Sequence, residues 1–304
     1  MTIVHLSVAA LRIRMGGTEE QNGTLFLKEE IRRLRKTLSE LTPPLSVLLR
    51  RRGFRIYKKD PPDDLLLPEE RFIDEYYRIL KKYSFRLFLR DVIKHQDHFT
   101  LRDVTRYATQ GVTMDYLDHL LNIGLVGELP GDALYELKHR PIKSFGQTLE
   151  WFLTEIFKRE FAAEAIRGVK FKRPVIGGDY DLIAKIDGSI LYMEVKSSPP
   201  KQIYTNEIAA FISRVSDLLP EVAIFFMDTE LRMKDKIVPM FEEELRTRTL
   251  DQLSHFLSIR AGLCTVQRIE RELFHIENKI FIINAKDSIV NNIDRVLRWH
   301  FRRT

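Results

Sequence analysis

Between Gly177 and Ser198 two runs suited to β-strands, Asp179 to Ile186 and Ser189 to Lys196, are separated by the pair Asp187-Gly188. An Asp-Gly pair in that setting is a strong two-residue hairpin signal, because both central positions of the tight turn need a positive φ. The turn sets the register. With Ile186 paired to Ser189, Asp181 falls opposite Glu194 and Asp179 opposite Lys196, and period-two alternation puts all four on one face. Carboxylates directly opposed across two strands have Cβ atoms about 4.5 to 5.5 Å apart and repel each other. A divalent cation between them removes that repulsion. Hard oxygen ligands suit Mg²⁺ or Mn²⁺, and Lys196 stands ready for a substrate phosphate or an attacking water. Asp179 stays open as an alternative ligand, the register favouring Asp181.

At these residues the chain resembles the PD-(D/E)XK nuclease superfamily, which includes restriction endonucleases and Holliday-junction resolvases. Asp181 matches the family's first acid and Glu194-Val195-Lys196 its triplet, although Tyr180 stands where the motif has proline. Helical patterning from Gly146 to about Phe161 supplies the preceding helix, with Glu150 where the family's first-helix acid stands. Val169 to Val175 as first strand, a helix over Thr205 to Leu218 and a strand over Val222 to Met227 complete an α-β-β-β-α-β order over about residues 141 to 230. The resemblance implies a restriction-endonuclease-like mixed sheet flanked by helices and a Mg²⁺- or Mn²⁺-dependent endonuclease acting on DNA. It implies Asp181, Glu194, the Val195 carbonyl and Glu150 around the metal, with Lys196 orienting water or steadying charge. Asn206 and Glu207, at the start of the following helix, read as capping residues.

Upstream, residues 84 to 140 pattern as three helices and a hairpin, a winged-helix-like α+β domain. A helix runs through Val92, Thr100 and Asp103 are spaced as a capping pair for the second, and Thr113 is the expected cap of the third. Strands Leu125 to Leu129 and Ala133 to Leu137 form the wing. Asp115 and Asp118 are the only charges between Thr113 and Asn122, so this helix is poorly suited to a DNA groove, and Arg102 and Arg106 on the preceding helix are the fallback phosphate contacts.

Residues 1 to 83 form a basic, mainly helical N-terminal region. Ile31, Leu34, Leu38 and Leu41 recur at helical spacing up to Pro43-Pro44. Ten cations and one anion lie between Ile31 and Lys59. Arg50, Arg51, Arg52, Arg55, Lys58 and Lys59, interleaved with Phe54 and Tyr57, make this stretch the candidate phosphate-backbone surface; the competing reading is a solvated helix face and a basic loop. Asp60 to Pro68 reads as a linker, since prolines and like charges oppose regular structure. After about residue 230 two helices, strands over Thr265 to Ile276 and Lys279 to Ile283, and a helix over Ser288 to Trp299 form an α/β extension of the nuclease-like domain, 141 to 304.

The 304-residue chain is 44% hydrophobic and 30% charged, which excludes disorder and small disulfide scaffolds. The single cysteine, Cys264, permits no intrachain disulfide and points to a reducing, cytoplasmic setting. No apolar run reaches the roughly 18 residues of a membrane span. A net charge of +6 permits a nucleic-acid partner. Two functions are expected to compete: a metal-dependent nuclease, and a non-catalytic DNA-binding or assembly protein on a nuclease-like scaffold. A homodimer is left open.

Overall fold

The computed structural model describes residues 26–27, 29–34, 36–37, 40–131, 133–172, 176–257 and 264–302. Its strands are β1 (Ile56–Lys58), β2 (Val126–Glu128), β3 (Tyr135–Leu137), β4 (Glu164–Phe171), β5 (Tyr180–Ile186), β6 (Ser189–Lys196), β7 (Val222–Met227), β8 (Gln267–Glu270), β9 (Leu273–Ile276) and β10 (Ile280–Asn284). Its helices are α1 (Leu45–Arg51), α2 (Ile73–Leu80), α3 (Tyr83–Lys94), α4 (Leu101–Val104), α5 (Gln110–Asn122), α6 (Gly146–Phe161), α7 (Thr205–Leu218), α8 (Ile237–Thr247), α9 (Leu250–Ser254) and α10 (Ile289–Phe301). Eight strands form one mixed sheet in the order β1-β4-β5-β6-β7-β10-β9-β8. The β6–β7 and β7–β10 pairs are parallel and the others antiparallel. This is the expected α/β class with a mixed sheet flanked by helices, and the expected α-β-β-β-α-β order runs from α6 to β7.

The central strands bury both faces, which is why β7 reads as an unbroken apolar run. On one face Leu182, Met193, Ile224 and Phe281 pack against α6 and α10; on the other Ile183, Tyr192, Phe225 and Ile282 pack against α7 and α8. Asp187 and Gly188 take φ values of 50° and 83°, and Ile186 pairs with Ser189 as the turn chemistry requires.

The first strand of the motif starts at Glu164 rather than Val169. Ala162 closes α6 in the left-handed region (φ 51°), so the chain reverses at once, and residues 173–175 of the expected strand lie outside the described residues. The expected strand over Thr265 to Ile276 is divided into β8 and β9 by a turn at Arg271 (φ 41°).

The upstream unit has the expected helices and β2–β3 hairpin, and Thr100 and Asp103 form the expected capping box. The cap of the third helix is Thr109, not Thr113, which is buried inside the first turn of α5 and donates its hydroxyl to the Thr109 carbonyl at 3.0 Å. The core of this unit is continuous with one face of the large sheet: Phe85, Phe88 and Leu120 belong to the same apolar cluster as Leu149, Phe152 and Leu182. A buried ion pair spans the two. Arg86 on α3 donates through Nε and Nη2 to Asp228, just past β7, at 2.8 to 3.1 Å, and Arg90 also pairs with that carboxylate.

The segment Asp60 to Pro68 has no strand or helix, but it is docked rather than a free linker. Arg167 ties it down, its N–H donating to Asp60 Oδ1 and its Nη2 to the Pro61 carbonyl, while Leu66 is fully buried. The basic stretch before it is α1 followed by an edge strand, with Leu45 and Leu49 buried and Arg50 and Arg51 exposed. Of the N-terminal apolar stripe, Ile31, Leu34 and Leu41 are exposed, and Leu38 lies outside the described residues. No helix among the described residues is long and apolar enough to cross a membrane.

Candidate active site

Alternation along β6 sends Tyr192, Glu194 and Lys196 to the same face, over α7. The Tyr192 hydroxyl donates to Glu194 Oε2, and burial keeps that phenol protonated and able to do so. Arg214, on α7, donates to the same oxygen through Nη1 at 3.0 Å. Lys196 Nζ lies 3.1 Å from Glu194 Oε1 and 2.8 Å from Glu207 Oε2. Burial opposes the Lys196 charge, but Glu194 and Glu207 outweigh it and hold the pKa above that of a free lysine. Lys196 is therefore a fixed cation.

Asp181 enters through an interruption in the β4–β5 ladder, where pairing passes from Arg167–Leu182 to Val169–Tyr180. Gly168 at that interruption has a φ of 53°, and a Cβ on it would lie 2.6 Å from Pro61 Cδ, so only glycine lets the docked segment close over the strand. Asp181 Oδ2 accepts the Val195 N–H at 2.7 Å. Burial, then Glu194, then Glu150 push the Asp181 carboxyl well above its usual range. Burial also raises Glu150 to about 7 against the pull of Arg167, with Glu194 and Asp179 adding to the rise. Asp181, Glu194, Glu150 and Lys196 thus act on one another electrostatically at the end of β6. Asp179 acts on Glu150 but does not meet Lys196: it precedes β5 and pairs with Lys170 at 2.9 Å, while Lys196 pairs with Glu194 and Glu207. The expected Asp179–Lys196 juxtaposition is corrected accordingly.

The donor chemistry fits a divalent ion, since Asp181 and Glu150, both raised by burial and by the nearby Glu194, gain from a shared cation. The cage is not preassembled. Among the described residues no group of three or more His, Cys, Asp or Glu side chains is gathered for a metal, and Glu194 is committed to Tyr192, Arg214 and Lys196. Loading a metal would require Glu194 to release part of that set. Val195 meets the cluster through its N–H.

Among the described residues none of the basic candidates hydrogen-bonds or ion-pairs with this cluster. Arg50, Arg51, Arg55, Arg102 and Arg106 are exposed, and Arg106 stacks 5.3 Å from the Tyr107 ring centroid. Lys58 and Lys59 pair with Asp63 and Asp60 at 3.6 and 4.0 Å. Arg52 is consumed structurally by the Leu219 carbonyl at 2.9 Å and by Glu221, and is removed from the phosphate-contact set. Sequence reasoning missed Arg214. Its signal was present: Arg214 lies seven residues after Glu207, hence on the same side of α7, beside the buried stripe Ile208, Phe211 and Val215. Glu207 does cap α7, accepting the Tyr204 N–H at 3.1 Å, and it also holds Lys196.

What the fold and site define is a mixed-sheet α/β protein with a carboxylate–lysine cluster at the end of its central hairpin. No protein-family description matches the chain, and no curated protein does. Among solved structures, Can2 from Sulfobacillus thermosulfidooxidans, in complex with cyclic tetra-adenylate (cA4), is similar at 12% identity and a TM-score of 0.47, over 84% of this chain and 60% of that one. Protein VC1899 from Vibrio cholerae is similar at 13% identity and a TM-score of 0.46, over 85% and 62%. The chain spans about three-fifths of the length of these two proteins.

Proposed function

We propose that the protein is a metal-dependent endonuclease that hydrolyses phosphodiester bonds in DNA. The observation that carries this reading is the meeting of Asp181, Glu194, Glu150 and Lys196 at the end of β6, in the α-β-β-β-α-β context that the sequence motif implies. Asp181, Glu194 and Glu150 would hold Mg²⁺ or Mn²⁺, with the Val195 carbonyl as the family resemblance implies. The bound ion supplies a water of lowered pKa and charge stabilisation at phosphorus. The chain's own contribution is positional. Lys196, held charged between Glu194 and Glu207, steadies the negative charge that grows on the phosphate in the transition state. Arg214 and Tyr192 fix the Glu194 rotamer, and the Val195 N–H fixes Asp181. Labelled duplex, branched and single-stranded DNA, with RNA alongside, incubated with Mg²⁺ or Mn²⁺ and separately with chelator, test the reading. Cutting of DNA only with metal is expected. Absence of metal-dependent cutting on every substrate would favour the non-catalytic scaffold.

The exposed arginines of α1 give a further expectation. Replacing Arg50 and Arg51 with alanine should weaken duplex binding for all sequences alike. It should also lower the slope of log affinity against log salt by up to about two units, near 0.9 per lost phosphate contact. Filter binding across a salt series reads this directly, and an unchanged slope would place α1 away from the DNA.

A further inference from the structure

A cavity of about 390 Å³ opens between α3 of the upstream unit, the loop before α6 and the end of β6. Arg90 and Lys94 line it from α3, Lys143, Ser144 and Phe145 from the loop, and Ser197 from the residue after Lys196. Three cations and two hydroxyls face this space, and no carboxylate is among its lining residues. The nearest acid partner of Lys143 is Asp64, 3.9 Å away, and Lys143 is largely exposed. Arg90 is held in place by Asp228 and by stacking 5.3 Å from the Phe145 ring centroid, and its Nε has no hydrogen-bond partner among the described residues. Lys94 and Lys143 beside Arg90, whose charge Asp228 shares, around a concave space whose lining has hydroxyl donors and no carboxylate, suit a phosphate group.

We propose that this cavity is a phosphate subsite that seats a backbone phosphodiester of the DNA strand beside the one being cut. The inference rests on the nuclease reading for the identity of its ligand. Placement supports it: Ser197 adjoins Lys196 in the chain, but alternation turns it to the opposite face of the strand, toward α3 and α6. A strand crossing the end of β6 therefore meets Lys196 on one side and the cavity on the other. The subsite also gives the upstream unit a role in DNA binding that does not use α5, whose Asp115 and Asp118 oppose phosphates.

The test compares wild type with the Lys94→Ala/Lys143→Ala variant, both positions being exposed and outside the apolar core. A labelled single strand is bound in chelator, so that no cutting occurs, and one phosphate at a time is replaced by a neutral methylphosphonate. In wild type one position near the cut should cost about tenfold in affinity, the size of a lost charge-assisted contact. The double variant should bind the unmodified strand about tenfold more weakly and lose sensitivity at that position. Wild type with no sensitive position, or a variant that keeps the sensitivity, overturns the subsite. So does inorganic phosphate binding that depends on the two lysines while the strand shows no sensitive position. Cleavage in Mn²⁺ is measured in parallel. Cutting without a sensitive position removes the subsite and leaves the nuclease reading standing, whereas a sensitive position without cutting does the reverse.

Discussion

Lys196→Ala should reduce metal-dependent cleavage on the order of 10³-fold while changing DNA affinity by less than about twofold. The asymmetry follows from what the residue touches. Its ammonium is held between Glu194 and Glu207, at the point where transition-state charge must be met, whereas binding is spread over many of the 49 lysines and arginines. Removing it also frees Glu194 Oε1 of its cation, so metal affinity should not fall and excess Mn²⁺ should not rescue the rate. Single-turnover cleavage beside equilibrium binding in chelator separates the two effects. A variant that cuts at the wild-type rate would remove Lys196 from the chemistry and expose any contaminating nuclease.

Asp228→Ala should cost the fold about 3 to 5 kcal/mol, the usual penalty for stranding a buried charge. Arg86 is 1% exposed and Asp228 1%, and the aspartate is the only acid bonded to Arg86 among the described residues. Its loss leaves a guanidinium in the core with the Leu80 carbonyl as its one remaining hydrogen-bond acceptor among the described residues. The effect should reach the site as well, because the Asp228 N–H donates to the Lys196 carbonyl and its carboxylate fixes Arg90. Urea unfolding measures the loss, and a change below about 1 kcal/mol would mean that Arg86 finds water or another acceptor. Replacing Arg86 and Asp228 together by apolar residues of similar size should recover much of the stability, since the pair is costly to bury in the first place.

The parts of this structure legible in the sequence are those that local chemistry decides. Asp187-Gly188 permits one tight turn, and that turn alone dictates the β5–β6 pairing. Thr100 and Asp103 announce a helix start by their spacing. Thr109 and Thr113 illustrate the limit of such signals: either threonine could cap α5, and only the packing of Thr113 inward decides between them. The docking of Asp60 to Pro68 was hidden because it depends on Gly168, more than a hundred residues away, having no side chain. Arg214 was hidden for a similar reason. On a helix wheel it borders an apolar stripe, and only the sheet beneath makes it the partner of Glu194. Asp179 and Asp181 look alike in sequence, and they are separated by an ion pair with Lys170 and by a ladder interruption that no periodicity encodes.

The most direct measurement of the central claim, that Asp181 and its neighbours form a divalent-metal site, needs no substrate. Thermal unfolding of wild type and Asp181→Asn is compared in chelator and in millimolar Mn²⁺. Asparagine keeps an acceptor for the Val195 N–H but removes a charge that burial, Glu194 and Glu150 disfavour, so without metal the variant should be at least as stable as wild type. At a metal concentration near a hundred times the dissociation constant, wild type should gain about 2.7 kcal/mol, or roughly 5 °C in Tm, and the variant should lose most of that gain. A wild type with no metal-dependent shift, or a variant that keeps the whole of it, would contradict the assignment of Asp181 as a metal ligand.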